Sequence, residues 1–217
     1  MQIAINKVHY PVTTLGYGKR VGIWTQGCSI RCPGCISKDT WERSKEHWTQ
    51  IDDLVAACRG WLAQADGITV SGGEPFDQPE ALTGLLDRLR AETRGDILVY
   101  SGYSHESLSK RFPGVIRKLD VLITEPYAPH AGSSLFLRGS DNQKIFLLTP
   151  LARERYPSNI NTLEWGTKSG LDIMMEGDAI WMAGIPRENE MTKLKERLER
   201  SGYRCDTSDV FHPLIRA

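Results

Sequence analysis

Apolar positions recur with two periods along this chain. In "IDDLVAACRGWLAQA" (51–65), Leu54, Val55, Cys58, Trp61 and Leu62 fall at helical spacing. "PEALTGLLDRLRAET" (79–93) follows the same period and carries Pro79 at its start, where a missing N–H costs nothing. "SHESLSKRF" (104–112) predicts a short helix. Between these stand short apolar runs bounded by turn residues: "VGIWT" (21–25), "GITVS" (67–71), "DILVYSG" (96–102), "DVLIT" (120–124) and "KIFLLT" (144–149). They read as buried strands, and strands alternating with helices predict a parallel α/β sheet or partial barrel.

After about residue 150 the texture changes. "GLDIMMEGDAIWMAGIP" (170–186) predicts two strands around the turn "EGD". "NEMTKLKERLERSGY" (189–203) predicts an amphipathic helix with Met191, Leu194 and Leu198 on one face and Gly202 as its stop. The division expected is a core over 1–149 and a small α/β extension over 150–217.

The formal net charge of zero points to neither nucleic acid nor an anionic membrane as a partner. "MQIAINKVHYPVTT" has no apolar signal-like stretch, and "IFLL" (145–148) is far too short to span a bilayer. A soluble, cytoplasmic protein is expected. Its five cysteines, Cys28, Cys32, Cys35, Cys58 and Cys205, are an odd count that argues against a disulfide framework. "GYGKRVG" (16–22) has the spacing G-x-G-x3-G and leads into a strand, so it is no dinucleotide fingerprint.

Three of the cysteines lie together in "QGCSIRCPGCISKDTW" (26–41). Thiolates select iron–sulfur clusters, zinc or copper(I). Pro33 and Gly34 disfavour helix, so the segment is a loop that can curl three sulfurs around one centre. Gly34 removes a side chain beside the last thiol and lets a ligand approach the backbone. Cubane clusters usually take four cysteines, so three leave one iron open. The alternative is a zinc site completed by Cys58, Cys205 or His47, although structural zinc favours paired C-x2-C knuckles. Downstream, "GITVSGGEPFDQP" (67–79) puts bare backbone and Glu74 at the carboxyl end of a strand, where open α/β sheets bind ligands. Glu74 is either an acceptor for a ligand ammonium or a solvated turn residue.

C-x3-C-x2-C followed by a strand and Gly-Gly-Glu resembles the radical S-adenosylmethionine (SAM) superfamily. "VTTLGYGKRVGIWTQGCSIRCPGCISKDTW", "VSGGEPFDQPEAL", "ILVYSGYSHESL" and "LDVLITEPY…FLRGSDNQKI" resemble, in order, segments of the small activating enzymes of anaerobic ribonucleotide reductase. The similarity runs over roughly residues 8–148. It implies a partial (β/α) barrel of the radical SAM type. It implies a [4Fe-4S] cluster on Cys28, Cys32 and Cys35, with SAM chelating the fourth iron. Gly34, Gly72, Gly73, Glu74 and Ser101 then belong to the SAM site, with Gly72–Glu74 holding the amino group and Ser101 near the ribose.

The resemblance further implies a protein substrate of the glycyl radical enzyme kind and a one-electron donor such as flavodoxin or ferredoxin. A peptide or small-molecule substrate is the second reading, and a non-catalytic iron–sulfur or zinc module the third. Two departures stand out. Where the family usually has an Asp-Gly-Pro-Phe-like segment, this chain reads Thr124-Glu125-Pro126-Tyr127, and the tail from about 150 has no counterpart in the shortest activating enzymes.

Overall fold

The computed structural model describes residues 1–166, 170–176, 179–186 and 190–203. Seven strands form one sheet: β1 (Gln2–Val12), β2 (Arg20–Thr25), β3 (Trp48–Gln50), β4 (Gly67–Gly72), β5 (Asp96–Tyr100), β6 (Val121–Thr124) and β7 (Lys144–Leu147), in the order β3-β1-β2-β4-β5-β6-β7. The four central strands β2, β4, β5 and β6 are parallel, as the alternating pattern predicts. The flanking strands β1, β3 and β7 are antiparallel, which makes the sheet mixed. Sequence pattern missed β1 and β3. Most of β1 is only half-buried, and it carries Pro11 and two register irregularities, so no clean alternation marks it.

Helices α1 (Ile51–Leu62) and α2 (Pro79–Glu92) follow β3 and β4, and α3 (His105–Arg111) and α4 (Pro113–Ile116) link β5 to β6. They cover one face of the sheet. Side chains alternate along a strand, so Val21, Ile23, Ile68, Val70, Ile97, Val99 and Leu122 all face the helices. There they meet Leu54, Cys58 and Leu62 of α1 and Leu82, Leu85, Leu86 and Leu89 of α2 in one apolar cluster.

The other face carries the alternate residues. At its lower end Arg20 is wholly buried. It pairs with Asp96 at 2.8 Å and donates to Thr69 Oγ1 and the Ile68 carbonyl, each at 2.7 Å. Tyr156 OH donates to Asp96 Oδ2 at 2.9 Å, and Arg155 pairs with the same carboxylate. Above this layer Leu98, Val121 and Ile123 pack with Phe136, Leu137, Ala152, Tyr156, Ile160 and Trp165. Helix α5 (Pro150–Arg155) and the segment after it are therefore part of the packing of this face.

The tail contains the expected hairpin, β8 (Leu171–Glu176) paired antiparallel with β9 (Ala179–Gly184), and the helix α6 (Glu190–Arg200). Asp172 of β8 accepts four hydrogen bonds, of 2.6 to 3.1 Å, from the backbone and hydroxyls of Thr13 and Thr14. Ala183 packs with Val12, Leu15 and Trp24, so the hairpin is docked on the open face. Gly177 and Asp178 of the "EGD" turn lie outside the described residues, as does Cys205. Among the described residues no helix is long and apolar enough to cross a membrane.

Candidate active site

The loop after β2 holds the three cysteines and is tied down along its length. Gly27 and Cys28 N–H donate to the carbonyls of Thr40 and Trp41 at 2.7 and 3.0 Å. Asp77 accepts from Ser29 N at 2.7 Å, from Ser29 Oγ at 2.9 Å and from Tyr103 OH at 2.8 Å. The loop after β2, the turn after β4 and the loop after β5 are thus knotted through one carboxylate. Sequence reading passed over Asp77 and Tyr103. The only signal was Asp77 standing three residues beyond Glu74 in the quoted segment.

Cys28, Cys32 and Cys35 are free, half-buried, and line a single cavity of about 590 Å³ at the carboxyl ends of the parallel strands. Burial pushes the thiols of Cys28 and Cys32 up, and the neighbouring thiols push Cys32 further. Backbone N–H groups of Ile30 and Arg31 work the other way at Cys28, and that of Tyr127 does so at Cys32. Thiolates at this spot need a cation to hold them, and soft sulfur donors suit iron. Among the described residues no three His, Cys, Asp or Glu side chains stand close enough to share one metal ion. A cubane spreads its thiolates over separate irons and does not need them to converge on one ion. The donor set fits the cluster.

Gly72 and Gly73 end β4 against the start of the cysteine loop. A Cβ on Gly73 would stand 2.2 Å from the Gly27 carbonyl oxygen, so only glycine allows this approach. Glu74 is 1% exposed and is held by the chain itself. Its Oε1 accepts from Phe76 N at 3.0 Å and Ser101 Oγ at 2.9 Å, and its Oε2 from Gly102 N at 2.8 Å. Burial drives its pKa up to about 7 against these hydrogen bonds. Ser101, itself buried, joins Glu74 to Tyr103, whose N–H donates to Ser101 Oγ at 3.1 Å. Gly34 has φ of 74° and lines the cavity opposite the Tyr127 ring. All eight residues singled out from sequence line this one cavity.

Other thiol and imidazole side chains, Cys58 and His47 of the zinc alternative among them, lie elsewhere. Cys58 is buried in the helix-side core, His105 stacks on Phe146, and His47 contacts Ser44. Both departures singled out from sequence reach the walls: Glu125 and Tyr127 after β6, and Gly184, Ile185, Pro186 and Met191 from the tail.

Half-buried thiols gathered beside a glycine-edged strand end mark an iron–sulfur enzyme on an α/β sheet. Residues 14–146 match the family described as a 4Fe-4S single cluster domain, more than half of the chain, and the protein belongs to it. The anaerobic ribonucleoside-triphosphate reductase-activating protein of Escherichia coli K12 is 33% identical over 146 residues, covering 63% of this chain and 94% of that protein. The pyruvate formate-lyase-activating enzyme of Staphylococcus epidermidis is 38% identical over 86 residues, covering 36% of this chain and 34% of that enzyme. QueE from Escherichia coli, a solved structure, is a looser likeness, with a TM-score of 0.42 at 24% identity over 48% of this chain and 55% of its own. The protein is a radical SAM enzyme, and its cofactors are a [4Fe-4S] cluster and SAM.

Proposed function

We propose that the enzyme activates a protein partner by abstracting a hydrogen atom from one of its glycines. The observation that carries this reading is the single cavity shared by Cys28, Cys32, Cys35 and the Gly72–Gly73–Glu74 edge. When bound, the cluster and SAM supply a one-electron cleavage that yields methionine and a 5'-deoxyadenosyl radical. The chain's own residues do the rest. In this reading the three cysteines hold three irons, Gly72 and Gly73 offer bare backbone to the SAM amino group, and Gly34 leaves room beside the last thiol. Glu74 and Ser101 brace that edge through their mutual hydrogen bond. The apolar tail wall, Ile185, Pro186 and Met191, limits water.

A glycine suits the target because the α-radical is delocalised onto two amides and no side chain blocks approach. The names of the two relatives, which activate a reductase and a lyase, support a glycyl-radical-type partner. A flavodoxin or ferredoxin as electron donor goes with the same reading, as does a reducing, cytoplasmic setting that keeps the three thiols free. The sheet in this reading is the wall of a partial barrel of the radical SAM type. Residues 1–149 carry the chemistry, and the extension 150–217 closes and stabilises its open face. The observation favouring the second reading, a peptide or small-molecule substrate, is that four tail residues line part of the mouth.

Anaerobic reconstitution with SAM and reductant should release 5'-deoxyadenosine. With the partner present, electron paramagnetic resonance should give a carbon-centred doublet that collapses when the partner carries α-deuterated glycine. Deuterium recovered from a free peptide or small molecule, and none from a protein glycine, assigns the second reading instead.

A further inference from the structure

Strand β6 ends at Thr124, and the next residue, Glu125, has φ of 83°. This left-handed backbone costs a non-glycine residue free energy and persists only where the surroundings over-determine it. They do so here. The Glu125 N–H donates to the Tyr103 carbonyl at 3.1 Å, and the Glu125 carbonyl accepts from Gln143 Nε2 at 3.0 Å. Asn142 Nδ2 holds the next carbonyl, that of Pro126, at 2.9 Å. Glycine would sit in this conformation without strain, so the glutamate side chain calls for a reason of its own.

Glu125 lines the cavity at the carboxyl end of a parallel strand, and among the described residues no hydrogen bond or ion pair engages its carboxylate. The cavity's other carboxylate, Glu74, is taken up by three internal donors. Among the described residues lining the cavity none is Lys, Arg or His. Apart from the three thiols, the described lining therefore presents one uncommitted carboxylate and no positive group. A ligand that fits this balance brings an excess positive charge.

We infer that Glu125 is a ligand-contacting residue that offsets the sulfonium charge of SAM, at a position where the backbone alone would favour glycine. The inference rests on the function proposed above, since it takes SAM to be the cavity's ligand. It adds a residue outside the cysteine loop and the Gly-Gly-Glu edge, and it gives the enzyme a means of telling SAM from its uncharged thioether analogue, S-adenosylhomocysteine.

The test uses full-length, reconstituted protein without oxygen, with calorimetric titration of SAM and of S-adenosylhomocysteine. Wild type should bind SAM more tightly than the thioether. Glu125→Gln should weaken SAM roughly tenfold, the loss of one charge-assisted contact, and leave the thioether nearly unchanged. Iron content should stay at the wild-type level. Glu125→Gly should lose the same discrimination while its thermal midpoint rises, because the strain is relieved. A purely structural role would give the rise in midpoint with discrimination intact, which overturns the inference. So does an equal loss for both ligands in Glu125→Gln. Wild-type protein that binds neither ligand overturns the proposed function itself, a result distinct from wild-type binding with an indifferent Glu125.

Discussion

On the helix side of the sheet, Ile68, Val70, Ile97 and Val99 meet Leu82, Leu85 and Leu89 in an apolar layer. On the other side the sheet presents Arg20, Thr69 and Asp96 at one end, all buried, and Ser71 and Tyr100 beside an open cavity at the other. One face is a closed core stabilised by area alone, at about 25 cal/mol per Å² removed from water. The opposite face combines a buried polar layer with a second apolar cluster and is left open at the cavity. The contrast teaches that the strand ends are held in place from below and behind, so the cavity can be lined with glycine, thiol and carboxylate at little structural gain.

The largest effect should come from the buried polar layer. Asp96→Ala removes the partner of Arg20, Arg155 and Tyr156 at once. Leaving the Arg20 guanidinium buried and uncompensated should cost about 3–5 kcal/mol in chemical denaturation. If the cost is below about 1 kcal/mol, this layer does not hold the open face. Leu85→Ala probes the helix side, where it opens a cavity in a fully buried site. Roughly 3 kcal/mol should be lost, with iron bound per folded molecule unchanged. A fall in iron content would break the separation of the two faces.

Glu74 provides a pH signature of the open face. Its ordinary pKa of 4.5 is raised to about 7 in the fold. Between those values the native protein keeps a proton that the unfolded chain has released. The cluster-free protein should therefore lose stability as pH rises from about 4.5 to about 7, by at most about 3 kcal/mol. Below that window the contribution is fully present. Glu74→Gln should flatten this slope, and an unaltered slope would place its origin elsewhere. The smallest effect sharpens the contrast between thiols. Cys58, in the helix-side core, should tolerate Ala at a cost of about 1 kcal/mol with iron content kept. Cys28→Ala should lose the cluster.

The sequence alone determined the helices α1, α2, α3 and α6, the central parallel strands and the eight residues gathered in the cavity. These depend on short-range signals: a 3.6-residue period in α1 and α2, apolar runs of strand length, a glycine pair at a strand end, three thiols within eight residues. Tertiary structure alone decided the remainder. Strand β1 is held by pairing with β2 and β3, and its own pattern does not announce it. Glu74 reads from sequence as either an acceptor for a ligand ammonium or a solvated turn residue, and the fold removes the second choice by burying it against Ser101 and Gly102. Glu125 reads from sequence only as part of a segment that departs from the family's Asp-Gly-Pro-Phe-like pattern. Its backbone conformation and its place in the cavity depend on Tyr103, Gln143 and the tail, residues from 18 to more than 60 positions away. Local pattern fixes which way a side chain alternates and where a helix stops. What stands opposite that side chain is set by contacts between distant segments, and those contacts set burial, charge balance and strain.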